Sequence, residues 1–417
     1  MSEHLLKAML GGASLLVGQV ARFSASAPVD FEVNNMRLLR SGYVELDTAK
    51  FDSSVWPEIR VQPEVVELPF IPVDVADNGN GVLIAITAGQ LNTEGRVIRS
   101  TDNALTWTDL GAITGATGHF ILSRSSIQRG SSVFFIDGFF YIGTKGGAGS
   151  TRASLLRSAD GINWTVVVNP SSGITGSAAT VSMMVKAGSH LFALDSAGFI
   201  IRSTDNGLNW NSFRTNSGYT TLMSTTDGRL FAYGSAVFHH TDVTRTTWFE
   251  RSISVSGHEG WDMAVGILPN TNYEIILVGR VQSALYYTRA EWSAAQLDNT
   301  AGQGFPNSIL AGSLGVGLTA NAIQNIYIDG PRTIFSQGAF LFESTATGRT
   351  SNFEARAGQL AYGVPSKLAL QPSSFIYAIP WSTSSFLGFC RFKNLLPAAG
   401  IPFENTANGV TDYVRIS

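Results

Sequence analysis

The 417-residue chain holds one cysteine, Cys390, so it can form no intramolecular disulfide and no multi-cysteine metal site. Cys390 lies in the apolar stretch Phe386 to Phe392, where it reads as a buried, inert thiol. Charge is also scarce. Only 14% of residues are charged, and 28 Lys and Arg nearly balance 31 Asp and Glu for a formal net charge of -3. With no basic run there is no electrostatic footprint for a phosphate backbone, which argues against nucleic acid as a partner. The chain carries no phosphate-cradling Gly-x-x-x-x-Gly-Lys loop, no nucleophile-elbow serine and no dinucleotide fingerprint. The Gly-rich stretch Gly143 to Gly149 leads into a strand-like segment rather than a helix and reads as an exposed turn.

No uninterrupted apolar run is long enough for a membrane span. The longest, Leu5 to Ala21, is broken by Lys7 and by Gly11-Gly12. Ala25-Ser26-Ala27 after it resembles a signal cleavage site. However, Glu3 stands where positive charge is expected, and Pro28 would follow the cut. The segment is therefore expected to be a packing helix or arm that docks on a partner, with a cleaved secretory signal as the alternative.

Hydrophobic residues make up 44% of the chain, with 43 Gly and 25 Phe. That fits many short strands joined by tight turns, a sizeable core, and surfaces buried against neighbouring subunits. Internal similarity is clear. Val97 to Trp107 (VIRSTDNALTW), Leu155 to Trp164 (LLRSADGINW) and Ile200 to Trp210 (IIRSTDNGLNW) share an apolar pair, Arg, Ser, one residue, Asp, and a turn ending in Trp. Asp102, Asp160 and Asp205 can accept backbone N–H groups inside such a turn, and Ser100, Ser158 and Ser203 can supply a second local bond, so no metal is needed to close it. Gly161 and Gly207 suit a positive φ. Ala104 takes the glycine place in the first copy, which predicts a slightly different turn there. Trp107, Trp164 and Trp210 should fold back over the turns and bury aromatic surface.

These segments resemble the Asp-box (BNR repeat) family, whose motif is Ser-x-Asp-x-Gly-x-Thr-Trp. The family includes propellers of sialidases, sortilin-like receptors, some glucanases, a photosystem assembly factor and phage tail proteins. The resemblance implies an all-β β-propeller with the boxes on its rim serving the fold. Weaker echoes follow at His239 to Trp248, Tyr286 to Trp292 and Phe342 to Thr350. The successive Trp positions lie roughly 57, 46, 38 and 44 residues apart, about one four-stranded blade each. Strand-like stretches recur at Gly81 to Thr87, Phe134 to Gly143, His190 to Leu194, Leu230 to Gly234, Tyr273 to Gly279, Ile326 to Phe335 and Phe375 to Ile379. Their number predicts seven blades over residues 57–417, with six as the alternative. Gly409 to Ile416 is a candidate strand for closing the ring. Residues 1–56 fall outside the repeat and form a small non-propeller attachment segment containing a short helix. Within it Arg22 to Asn35 reads as an extended linker, and Met36 to Val44 with Glu45 to Pro57 as a short strand pair and a turn.

The sialidase branch of the resemblance implies three arginines gripping a substrate carboxylate, a Tyr with a Glu partner, and an Asp. Ile59-Arg60-Val61-Gln62-Pro63 is the nearest match to the family's Arg-Ile-Pro signature and departs from it by an insertion and a substitution. Arg129, Arg280 and Arg332 are the arginine candidates and Tyr273 with Glu274 the tyrosine pair, yet no spacing ties them together. His239 and His240 are adjacent on a strand and so face opposite ways, which denies them a shared metal. Trp261, in the segment His258 to Trp261 read as a loop between blades, is a candidate partner or glycan contact. The expectation is a non-enzymatic structural or adhesion component of a phage virion, in the tail or its fibres. It would need no cofactor or metal and would form a homo-oligomer touching other virion proteins, with a host surface glycan as a further candidate partner. A sialidase-like glycoside hydrolase and a secreted or periplasmic scaffold are the alternatives.

Overall fold

The computed structural model describes residues 20–23, 29–32, 36–38, 44–46, 64–88, 95–113, 119–122, 130–146, 152–176, 179–214, 218–234, 237–243, 248–252, 258–268, 270–281, 284–298, 309–310, 323–329, 332–337, 340–344, 354–355, 365–370, 375–380, 387–393, 400–405 and 410–415. Among these, seven sheets of four or five antiparallel strands follow one another along the chain. The first runs through Asp74–Asp77, Leu83–Thr87, Arg96–Ser100 and Thr108–Ala112. In the second, His119–Phe120 and Val133–Ile136 share one edge of Phe139–Gly146, followed by Ala153–Ser158 and Thr165–Val168. The third is Val181–Ala187, His190–Asp195, Ile200–Ser203 and Asn211–Arg214. The fourth is Tyr219–Ser224, Arg229–Gly234, Val237–Asp242 and Phe249–Ser252. The fifth comprises His258–Ile267, Tyr273–Val281, Ala284–Trp292 and Ile309–Leu310. The sixth comprises Ile323–Asp329, Arg332–Gln337, Phe340–Ser344 and Glu354–Ala355.

The seventh sheet draws on both ends of the chain. Pro365–Leu370, Phe375–Pro380 and Gly388–Lys393 are completed by Glu64–Glu67, with Phe389 opposite Val66 and Cys390 opposite Val65. The strand expected to close the ring does something else: Val410–Arg415 pairs with Gly400–Asn405 as a separate hairpin. The first strand of each sheet lies against that of the next, and the seventh returns to the first, so the sheets form a closed β-propeller.

Closure explains why the strands lack polar and apolar alternation. Leu83–Thr87 is buried throughout, because both faces of each sheet pack on a neighbour. Leu83 and Ala85 face Phe389 and Ile379 of the seventh sheet, whereas Ile84 and Ile86 face Phe140 and Ile142 of the second. Tyr141 points the other way, toward Leu191 and Ala193 of the third. Phe192 and Leu194 then meet Leu230 and Ala232, and Phe231 and Tyr233 meet Met263 and Ile275. Each of these five interfaces is an apolar core. The first strands of sheets three to seven also share a one-residue bulge, at Ser182, Thr220, Trp261, Gln324 and Ser366. A bulge at this place adds the local twist that a short inner strand needs.

Several sequence expectations are corrected. Phe134 to Gly143 is two strands joined at Asp137-Gly138, both with positive φ, as an Asp-Gly hairpin turn requires. Ile326 to Phe335 is likewise split between two paired strands. Arg22 to Asn35 is not an extended linker, since Val20–Phe23 and Val29–Glu32 pair as a hairpin. Met36–Leu38 pairs with Val44–Leu46. Trp261 sits on a strand at the bulge rather than in a loop, because the largely apolar run Met263 to Ile267 after it continues the inner edge of the fifth sheet. The expected N-terminal helix, except for its last residues Val20 and Ala21, which are strand, lies outside the described residues. So do the side chains of Cys390 and Trp261.

Candidate functional site

The three Ser-x-Asp segments close their own turns. In each, the serine hydroxyl donates to the aspartate two residues on, at 2.8 Å for Ser100 to Asp102, 2.9 Å for Ser158 to Asp160 and 2.8 Å for Ser203 to Asp205. The same hydroxyl accepts the N–H of Ala104 (2.9 Å), Gly161 (2.8 Å) or Gly207 (2.9 Å). The carboxylate accepts the backbone N–H of Thr106, Asn163 or Asn209, each at 2.9 Å. Its second oxygen takes the side chain of that same residue. Both oxygens are thus used locally, and the charged form is favoured. The Thr106 hydroxyl and N–H hold the Asp102 carboxyl down at about 2, and the Asn209 N–H and side-chain amide hold Asp205 at about 2. At Asp160 burial pushes the other way, but the donors of Asn163 and Ile162 prevail and lower it.

The Ala104 expectation is overturned. Asn103 and Ala104 have φ of 60° and 67°, matching Asn206 and Gly207 at 58° and 80°, so the first and third turns are alike. The second differs, being one residue shorter, with Gly161 alone at φ 73°. Trp164 and Trp210 are buried as expected, and Trp210 donates to the Gly207 carbonyl at 3.2 Å. Trp107 is half-buried, its ring edge-on to Phe389 of the seventh sheet.

What the motif pattern did not reveal is that each turn plugs into the preceding sheet. A Cβ on Gly161 would lie 2.4 Å from Ile84 Cδ1, and one on Gly207 would lie 2.3 Å from the Tyr141 hydroxyl. Ala104 is buried among Ile379 and Phe389. Side chains of the earlier sheet reach back to the turn carbonyls. Arg391 donates to Asn103 at 2.8 Å, Arg99 to Asp160 at 3.0 Å and Tyr141 to Asn206 at 3.3 Å. Of these three donors only Arg99 is the arginine that precedes a motif serine, so the sequence signalled one contact of the three. Where the box decays, the contact survives by other means. Val243 packs against the third sheet. In the fifth, a helical turn Ala294–Leu297 with a Ser293–Gln296 capping box buries Leu297 against the fourth.

Around the axis, buried polar side chains cross from one inner strand to the next. Asp74 accepts the Val133 N–H at 2.9 Å, Ser132 donates to the Ser182 carbonyl at 3.0 Å, and Asp262 accepts from Thr221 at 3.1 Å and from the Ile326 N–H at 3.2 Å. The tyrosine of the sialidase expectation has different partners from those expected. Tyr273 donates to Asp227 and accepts Arg229 Nε at 3.1 Å, while Arg229 is clamped by Asp298 at 2.7 and 2.9 Å. Glu274 is fully buried and, as the next residue on the strand, faces the opposite side. Arg129 lies outside the described residues, as do the side chains of Arg280, Arg332, His239 and His240. Among the described residues no cluster of three or more His, Cys, Asp or Glu converges as a metal site would need, and no helix is long and apolar enough to cross a membrane.

Residues 103–295 match the family model of the DUF6242 beta propeller domain. The match starts inside the first Ser-x-Asp turn and ends in the capped helical turn of the fifth sheet. A comparison with curated proteins gives no match. Among solved structures, the chain is similar to YCF48 from Cyanidioschyzon merolae, with TM-score 0.54, 15% identity, and 79% of this chain and 98% of that one covered. It is also similar to YCF48 bound to D1 peptide, with TM-score 0.53, 14% identity, and coverage of 80% and 97%. The GH74 xyloglucanase from Xanthomonas campestris gives TM-score 0.50 and 13% identity, covering 87% of this chain and 56% of that one. At these identities the likeness is one of fold.

Proposed function

We propose that this protein is a non-enzymatic recognition and attachment propeller of the Asp-box type with seven blades, serving as a structural or adhesion component of a phage virion in the tail or its fibres. Residues 1–56 attach it to the particle, and the ring contacts neighbouring copies, other virion proteins or a host surface glycan. One observation carries the reading. The three turns spend their polar groups internally, yet each displays an exposed aliphatic side chain just past the Gly or Ala position, namely Leu105, Ile162 and Leu208. Rigid turns bearing apolar tips at repeated positions suit contact with another surface at small entropic cost. Repeated copies in an oligomer would add avidity.

The sialidase-like alternative requires a guanidinium open to a substrate carboxylate; the Arg229 guanidinium beside Tyr273 is held by Asp298, and the side chains of the candidates Arg129, Arg280 and Arg332 lie outside the described residues. Deleting residues 1–30 is expected to abolish incorporation into particles while the ring stays folded; unchanged incorporation would refute the attachment role. Hydrolysis of a fluorogenic sialoside by the purified protein, abolished by substitution in the ring, would overturn the non-enzymatic reading. Recovery of the protein from culture medium or periplasm rather than particles would favour the secreted scaffold.

A further inference from the structure

Three Asn-Gly dipeptides fall in described turns: Asn78-Gly79, Asn80-Gly81 and Asn206-Gly207. In such a pair the glycine nitrogen can attack the asparagine side-chain carbonyl, closing a succinimide and expelling ammonia. Water then opens the ring to aspartate or isoaspartate. The reaction needs a free glycine N–H and a side-chain amide able to swing over it.

Two of the three are restrained. Gly79 N–H donates to Asp77 at 2.6 Å, and the Asn78 side-chain oxygen accepts the N–H groups of Asn80 (2.8 Å) and Val82 (3.1 Å). Gly207 N–H donates to Ser203 at 2.9 Å in a buried bond, although Asn206 itself is exposed. Asn80 is exposed, and among the described residues neither its side chain nor the Gly81 N–H has a hydrogen-bond partner. We infer that Asn80-Gly81 is a site of spontaneous deamidation built into the first sheet, and that Asn78 and Asn206 are protected by their turns.

The consequence reaches the ring seam. The Gly81 carbonyl accepts the Asn103 N–H at 2.9 Å, and Asn103 in turn receives Arg391 from the seventh sheet. Isoaspartate inserts one extra backbone methylene just before Gly81 and adds a negative charge close to the turn that holds Asp102. Both changes loosen the joint between the last and first sheets.

The experiment incubates the full chain at mildly alkaline pH and follows isoaspartate at each Asn-Gly by peptide mass spectrometry and isoaspartyl methylation, folded and in urea. In the folded protein residue 80 should convert at least roughly tenfold faster than 78 or 206, the factor given by about 1.4 kcal/mol, the scale of one retained hydrogen bond. In urea the three rates should converge. Equal rates in the folded protein, or faster conversion at 78 or 206, would overturn the assignment. Aged wild type should unfold at lower urea than fresh protein while aged Asn80→Ser does not shift; an equal loss in both would overturn the link to the seam.

Discussion

Gly207→Ala tests whether the turns are plugs or merely closed hairpins. Ala104 occupies the equivalent position at φ 67°, so the backbone accepts alanine. The left-handed penalty of about 1–2 kcal/mol is about half offset by the lower entropy of the unfolded chain, worth about 0.4–1 kcal/mol. A steric cost adds to the remainder. The new methyl would lie 2.3 Å from the Tyr141 hydroxyl and 3.0 Å from two ring carbons, and Tyr141 is fully buried. Overpacking of this kind costs about 1–3 kcal/mol, giving a total loss of about 2–4 kcal/mol. Tyr141→Phe alone removes two long bonds, to the Asn206 carbonyl and from Arg157, both at 3.3 Å, and should cost about 0.5–1.5 kcal/mol. In the double variant the nearest clashing atom is gone, so its loss should fall short of the sum of the two single losses by about 1–2 kcal/mol. Urea unfolding followed by tryptophan fluorescence reads all four corners of the cycle. Additivity within about 0.5 kcal/mol, or a Gly207→Ala variant as stable as wild type, would refute docking of the turn on Tyr141.

The ring seam makes a second comparison: Arg391→Ala, which strips a buried guanidinium from the Asn103 carbonyl, should destabilise by about 2 kcal/mol or more, and Arg99→Ala, at a half-exposed site, by about 1 kcal/mol or less. Closure by Glu64–Glu67 predicts that Val66→Asp, on the face packed with Phe389, costs about 3 kcal/mol or more, whereas Val65→Asp on the exposed face is nearly neutral in thermal unfolding. The reverse order would place the strand one residue out of register. Because Asp102 and Asp205 titrate at about 2 in the folded protein against 3.8, their stabilisation is complete above about pH 5 and lost as pH falls toward about 2; Asp205→Asn should flatten that part of the stability profile. Asp195 acts in the opposite sense. Burial raises it despite N–H donors from Gly176, Phe199 and Ala197, so stability falls as pH rises through its titration, and Asp195→Asn should reduce that loss in acid-to-neutral unfolding scans.

The turns were legible in the sequence because every bond that closes them spans two to four residues. Ser-x-Asp followed by a left-handed position and a Thr or Asn gives the same set of local bonds in all three copies, although the second turn is one residue shorter. The second strand of most sheets was legible for a related reason, since a short apolar run bounded by turn residues reads as a strand in any surroundings. Closure was not. Gly409 to Ile416 and Glu64–Glu67 look equally able to pair, and nothing within either stretch names its partner. The same limit hid the plugs. Arg391 and Asn103 are 288 residues apart, and the glycine that a turn needs for its own φ is also the glycine that a neighbouring Tyr141 or Ile84 crowds. Local chemistry along the chain therefore determined which hairpins this protein makes. Only the tertiary structure decided which hairpin enters which sheet and which end of the chain seals the ring, because those contacts exist only once distant strands have met.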